Sequence, residues 1–242
     1  MLYLIGLGLN IDSITSEALE AVKKCSEAYL ENYTVKFPYT PKELEKTLKR
    51  KIILMDRQNT EILAFLEKAK KEEIALLVYG SPLIATTHIT ILTECVKQNI
   101  GFKILQNASI FDAIAETGLQ AYKFGKVASL PLWTENYKPD SFVQIITDNR
   151  SIKAHTLLLI DIGMPFQQAL KQLVEASKDK LNLDKLVVCS QLGTGKQAFY
   201  YDSIFALENK AIDEPFCFII PSELHFTEAE ALTLLVERKS EI

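Results

Sequence analysis

The chain has 242 residues, of which 48% are apolar and 24% charged, and a formal net charge of -4. That length buries a sizeable core in one large domain or two small ones, with the composition of an ordinary globular protein. The acidic balance gives no electrostatic reason for non-specific nucleic-acid binding, which draws on many Lys and Arg contacts to phosphate.

The opening MLYLIGLGLN is apolar, lacks a basic leader segment and meets Asp12 early. It predicts neither a signal peptide nor a membrane anchor, and the expected location is cytoplasmic. Short β-rich runs then alternate with longer amphipathic stretches, the pattern of an α/β protein with helices flanking largely parallel strands. Strands are predicted over 2–7, 28–31, 51–55, 74–79 and 101–105, and a second set over 127–130, 156–162, 185–190, 199–206 and 216–220. The connections lengthen and vary after about residue 115, which predicts two domains, 1–112 and 113–242.

Thr15 suits the N-cap of the first helix, with Glu17 in its first turn and Ile14 able to staple onto Leu19. That helix is expected to begin just after GLGLN, whose backbone amides would then face a ligand. KELEKTLKRK and LEKAKKEE alternate acids with bases at helical spacing and read as solvated helix faces. Cys25, Cys95, Cys189 and Cys217 are far apart and predict buried, reduced thiols. His88, His155 and His225 are equally isolated, so no metal site is predicted.

Two glycine patterns fail as nucleotide motifs. GLGLNI (6–11) places Ile11 where a dinucleotide fingerprint needs its third glycine for helix packing. Gly6 and Gly8 then serve either the approach of a ligand or a tight turn. SQLGTGK (190–196) has Ser190 at the first glycine of a P-loop, and Gln197 where a hydroxyl should hold magnesium. It reads as a flexible turn after a buried strand. VYGSPLIATTH (78–88) joins a buried strand to a helix over 89–97, and Thr86 and Thr87 are placed to cap that helix. Capping alone leaves Gly80-Ser81-Pro82 unexplained, which points to a small-molecule site. QNASIFDA and LHFTEAEAL also follow apolar runs, so three strand ends suggest one pocket on the carboxyl edge of a sheet.

Taken together, LYLIGLGL, AYLENYT, GSPLIATTH, NASI, GLQAYKFGK, HTLLLIDI and IPSELHFTEAEAL resemble, in order and over the whole chain, the diphthine synthases of the tetrapyrrole (class III) methylase superfamily. The resemblance implies a two-domain α/β tetrapyrrole methylase fold, S-adenosylmethionine in a cleft between the domains, and a homodimer. It implies successive methylation of the amino group on the modified histidine of translation elongation factor 2, with the short chain looking like the archaeal form that makes diphthine. It also implies cofactor contacts from Leu9, Ser81, Ile84, Ser109, Ile110, Ile160, Leu192 and His225. No catalytic base is assigned.

Where the family usually has Gly-Asp-Pro this chain has Gly80-Ser81-Pro82, replacing a carboxylate with a hydroxyl beside a cationic cofactor. Weaker cofactor affinity is expected, and Ser81→Asp is expected to raise it. SEAYLE (26–31), where the family more commonly has an acidic start, and Gln106, before NASI, are smaller departures and carry no expected consequence. Tyr122, Lys123, Phe124 and Lys126 in YKFGK form either a contact element for the protein substrate or a strand edge with solvated lysines. The alternatives are a methylase of the same fold acting on a tetrapyrrole or ribosomal RNA, and a non-catalytic protein that binds cofactor or elongation factor.

Overall fold

A computed structural model describes residues 1–236. The chain divides into two compact units, Met1–Asp112 and Ala113–Ile242. The first contains β1 (Leu2–Gly6), α1 (Ser16–Lys24), β2 (Glu27–Glu31), α2 (Pro41–Leu48), β3 (Ile53–Met55), α3 (Arg57–Ile62), α4 (Leu66–Ala69), β4 (Ile74–Val78), α5 (Ile89–Lys97) and β5 (Phe102–Leu105). A short α6 (Ile110–Ala113) runs across the boundary between the units.

Its five strands are all parallel, in the order β3-β2-β4-β1-β5. A parallel sheet must be covered on both faces, which is why its central strands are apolar along their whole length. Successive residues of β1 and β4 point to opposite faces. Leu2, Leu4, Ile74, Leu76 and Val78 pack with Phe65, Leu66, Ile91 and Leu92 on one face. Ile5, Leu7, Ala75 and Leu77 pack with Ala18, Val22, Leu44 and Leu48 on the other.

Local chemistry fixes the helix ends. The Thr15 hydroxyl accepts from the Ala18 amide, so the expected N-cap forms. A 3-10 turn, Ile11–Ser13, intervenes between the first loop and α1. α2 begins with a reciprocal Thr40–Glu43 capping box and Pro41 in the first turn. It stops where Lys49 turns left-handed at φ 53°, short of the full Lys-rich run.

Arg50, just beyond, donates to the carbonyls of Val22 and Cys25 at 2.5 Å and of Ser26 at 2.7 Å. One guanidinium thus satisfies the orphan carbonyls at the end of α1. Arg50→Met is expected to cost about 2 kcal/mol, since the carbonyls lose a charged donor. Urea unfolding should show an earlier midpoint at unchanged slope; an unchanged midpoint would remove Arg50 from this role.

The second unit contains β6 (Ala128–Leu130), α7 (Ser141–Ser151), β7 (Thr156–Ile160), α8 (Phe166–Ser177), β8 (Lys185–Ser190), β9 (Ala198–Ser203), α9 (Ile204–Leu207), β10 (Phe216–Ile220) and α10 (Phe226–Val236). Its sheet runs β6-β7-β10-β8-β9. Only the β6–β7 pair is parallel; β10 is antiparallel to both neighbours, as β9 is to β8. The expectation of largely parallel strands is therefore corrected for this unit. β8 and β9 are joined by a short turn, which returns the chain antiparallel. Phe142, Phe166, Leu170, Leu173 and Phe218 lie in its core. The predicted strand over 199–206 ends at Ser203, where that hydroxyl caps α9.

All ten predicted strands are present, and the four cysteines are free and buried. No helix among the described residues is long and apolar enough to cross a membrane.

Candidate functional site

In the first unit, the neighbouring strands β1 and β4 send their chains to opposite faces, β1 towards α1 and β4 towards α5. Adjacent strands whose connections diverge leave a crevice outside their carboxyl ends, the usual ligand position in an open α/β sheet. Here the two loops are tied together: the Gly8 amide donates to Gly80 O at 3.1 Å and the Gly80 amide to Gly8 O at 2.9 Å. Both glycines are left-handed, at φ +73° and +69°. A Cβ on Gly6 would lie 2.6 Å from Gly80 O and 2.9 Å from Pro82 Cδ. The glycines of GLGL thus serve the approach of one protein loop to another.

Three amides of this loop, those of Leu7, Gly8 and Asn10, are used within the protein, where the expectation had them face a ligand. Leu7 donates to Val78 O, and the Asn10 amide donates to Ser13 Oγ. Leu9 is buried, and its carbonyl accepts from the Tyr79 hydroxyl at 3.0 Å.

Ser81 is buried after β4, and its hydroxyl donates to Gln106 Oε1 at 2.7 Å. Ile84, in the same turn, is exposed. The expected threonine caps do not form. α5 starts at His88 without a side-chain cap bond, and the Thr86 hydroxyl donates to Pro82 O at 2.9 Å. His88 Nδ1 also lies 3.0 Å from Pro82 O and can only donate to it. Thr86 and His88 therefore brace the Gly-Ser-Pro turn from behind.

After β5, Asn107 Nδ2 donates to Gly6 O at 3.2 Å and Ser13 O at 3.0 Å. Ser109 is buried, its amide and hydroxyl both donating to Asp112 Oδ2 at 2.6 and 2.8 Å. These two bonds, backbone first, hold the Asp112 carboxyl below its ordinary pKa. Ile110 is half-buried at the start of α6. Leu9, Ser81, Ile84, Ser109 and Ile110 thus all lie at the carboxyl edge of one sheet.

The remaining expected contacts lie in the second unit. Ile160 is half-buried at the end of β7, and Leu192 is buried in the turn after β8. That turn is held by hydrogen bonds of its own. Gln191 is left-handed at φ 47°, the Gly193 amide donates to Gln197 Oε1 at 2.6 Å, and the Lys196 amide donates to Thr194 Oγ1 at 3.1 Å. LHFTEAEAL follows β10, on the second sheet, so the three polar turns do not share one sheet edge.

His225 is exposed just before α10 and stacks on Phe226 at 4.2 Å. Its Nδ1 lies 2.9 Å from the Thr227 hydroxyl. Its backbone is anchored to a fully buried carboxylate, Glu228.

Glu228 gathers the family-specific strings. It accepts from the Gln120 amide at 2.9 Å, the His225 amide at 2.8 Å, His155 Nε2 at 3.0 Å and the Lys123 ammonium. Burial alone would push its pKa up, but the Lys123 ammonium, the two amides and His155 bring it down to about 2. His155 Nδ1 accepts from the Ser222 amide at 3.0 Å, which leaves the ring proton on Nε2, towards Glu228. Burial lowers the His155 pKa despite that carboxylate.

Lys123 also donates to Glu223 O at 2.9 Å, so it is neither a solvated lysine nor a free contact for a partner. Tyr122 is 82% exposed and Lys126 is exposed, whereas Phe124 packs edge-on against His155. Sequence reading missed Glu228, His155, Asn107 and Tyr79. The only available signal was their place inside the quoted strings or beside a strand end.

Comparison with known proteins agrees with this architecture. Residues 1–208 match the family model for tetrapyrrole (corrin/porphyrin) methylases. The chain is 37% identical to the diphthine synthase of Methanocaldococcus jannaschii, over 98% of this chain and 99% of that one. It is 35% identical to the diphthine methyl ester synthase of Saccharomyces cerevisiae, over 99% and 90% respectively. A crystal structure of a diphthine synthase superposes with a TM-score of 0.89 at 30% identity, covering 98% of this chain and 96% of that one.

Proposed function

The chain belongs to the tetrapyrrole methylase family and, within it, to the diphthine synthases, and from that premise we propose that it transfers methyl groups from S-adenosylmethionine to the amino group of the modified histidine of translation elongation factor 2. Leu9, Ser81, Ile84, Ser109 and Ile110 of the first unit and Ile160, Leu192 and His225 of the second would hold the cofactor. The homodimer and the cytoplasmic location belong to the same proposal.

The observation that carries this reading is the state of the two buried serines. Each hydroxyl already spends its proton, Ser81 on Gln106 and Ser109 on the ionised Asp112, so each would meet a ligand only as an acceptor, Ser109 with the one lone pair left after its bond from the Phe111 amide. A neutral-to-negative set of acceptors beside apolar Leu9, Ile84 and Ile110 fits a molecule with a cationic centre, amino groups and an aromatic base.

When bound, the cofactor supplies an electrophilic methyl on a sulfonium. The methyl would pass to the amine nitrogen, the new C–N bond replacing the S–C bond and a neutral thioether remaining. The chain's own task is alignment of nucleophile, methyl and leaving group in one line. Each round requires an unprotonated amine, so one proton leaves to water before each transfer. Tyr122 and Lys126 are the members of YKFGK still available to contact the elongation factor.

A second reading is favoured by the match to the yeast methyl ester synthase: an additional methyl on the carboxylate of the modified histidine. Mass spectrometry of the product before and after mild alkali separates the two. Methyls on nitrogen survive alkali, whereas an ester methyl is lost. We expect an alkali-stable product; a loss of mass on alkali treatment would establish the ester.

A further inference from the structure

Two of the departures named above, Ser81 and Gln106, touch each other. β4 and β5 are not neighbours, since β1 lies between them. The Ser81–Gln106 hydrogen bond of 2.7 Å therefore spans the carboxyl end of β1. Beneath it sits Gly6, whose missing Cβ would lie 2.9 Å from Pro82 Cδ and 3.1 Å from Asn107 Cβ. Asn107, the next residue, is held by Gly6 O and Ser13 O, so the backbone beside Gln106 is fixed.

Gln106 is exposed, and ordering a long amide side chain costs rotamer freedom that this bond has to offset. Ser81, in contrast, is only 6% exposed, and this bond takes its proton. A buried hydroxyl with its donor engaged presents only its lone pairs to a ligand.

We infer that Gln106 is a positioning residue for Ser81: the two act as one neutral clasp across β1 that aims the Ser81 oxygen at the cofactor as an acceptor. This rests on the cofactor site proposed above. With Asp at position 81 the Gln106 amide can turn over and present its NH2 to the carboxylate, so the gain expected for Ser81→Asp is retained.

The test is calorimetric binding of S-adenosylhomocysteine to the full chain and to Ser81→Ala, Gln106→Leu, the double variant and Gln106→Glu. Each of the first two single variants is expected to weaken binding about five-fold, as for one lost hydrogen bond. The double variant should be no weaker than either single, because the residues form one unit. Gln106→Glu, which keeps an acceptor for the Ser81 hydroxyl, should restore binding, which a general loss of packing would not allow. Independent, multiplying effects, or a Gln106→Leu variant that binds normally, would overturn the clasp while leaving the site intact. Failure of the unmodified protein to bind at all would overturn the site reading, and the clasp with it.

Discussion

Gly6→Ala is expected to lower stability by about 3 kcal/mol and to weaken cofactor binding about tenfold or more. The added methyl would stand 2.6 Å from Gly80 O and 2.9 Å from Pro82 Cδ, inside the contact limit of both. A flexible side-chain tip could swing aside, but Gly80 O is backbone, and that backbone is bonded twice to Gly8. The loops after β1 and β4 must therefore separate, and Leu9 and Ser81 move with them. Urea unfolding and calorimetry on the same preparation test both parts. Normal stability and affinity would mean that the two loops are not in the contact described.

Glu228→Gln is expected to cost about 3 kcal/mol at neutral pH, because it leaves the Lys123 ammonium without its anion and sets an amide NH2 against N–H donors. pH separates this charge effect from a packing effect. Glu228 has a folded pKa of about 2, below its ordinary 4.5, so its contribution is fully present above about 4.5 and is lost as pH falls towards 2. His155 is also lowered, so its contribution is present above its ordinary 6.5 and fades as pH falls through its folded value. Acid destabilisation of the protein should therefore come in two stages, and Glu228→Gln should remove the lower one. The gap between variant and parent should narrow from pH 7 to pH 3. A gap that stays constant with pH would show that the charge of Glu228 does not carry the interaction.

The strands were legible because each is a short apolar run closed by turn residues, and fully buried strands such as β4 tolerate no polar interruption. The Thr15 cap was legible because its spacing to the apolar positions of α1 is local. Strand direction in the second unit was not, since β8 and β9 read alike whether the return connection is a turn or a helix. Glu228 was illegible for a related reason. Lys123 and His155 stand 105 and 73 residues away from it, and no local period links them. The Gly8 amide was misjudged because a glycine that admits a ligand and a glycine that admits a second loop look the same in sequence; only the paired Gly8–Gly80 bonds distinguish them. The Ser81–Gln106 contact joins two residues whose separate readings gave no hint of each other.

The most direct test of the central claim compares two substrates in the presence of S-adenosylmethionine: elongation factor 2 carrying the diphthamide precursor, and the same factor with an unmodified histidine. The account predicts added methyl groups, by mass spectrometry, on the modified histidine of the first and none on the second. An unchanged mass of both, with cofactor bound to the protein, would contradict methyl transfer to elongation factor 2 and favour a binding role.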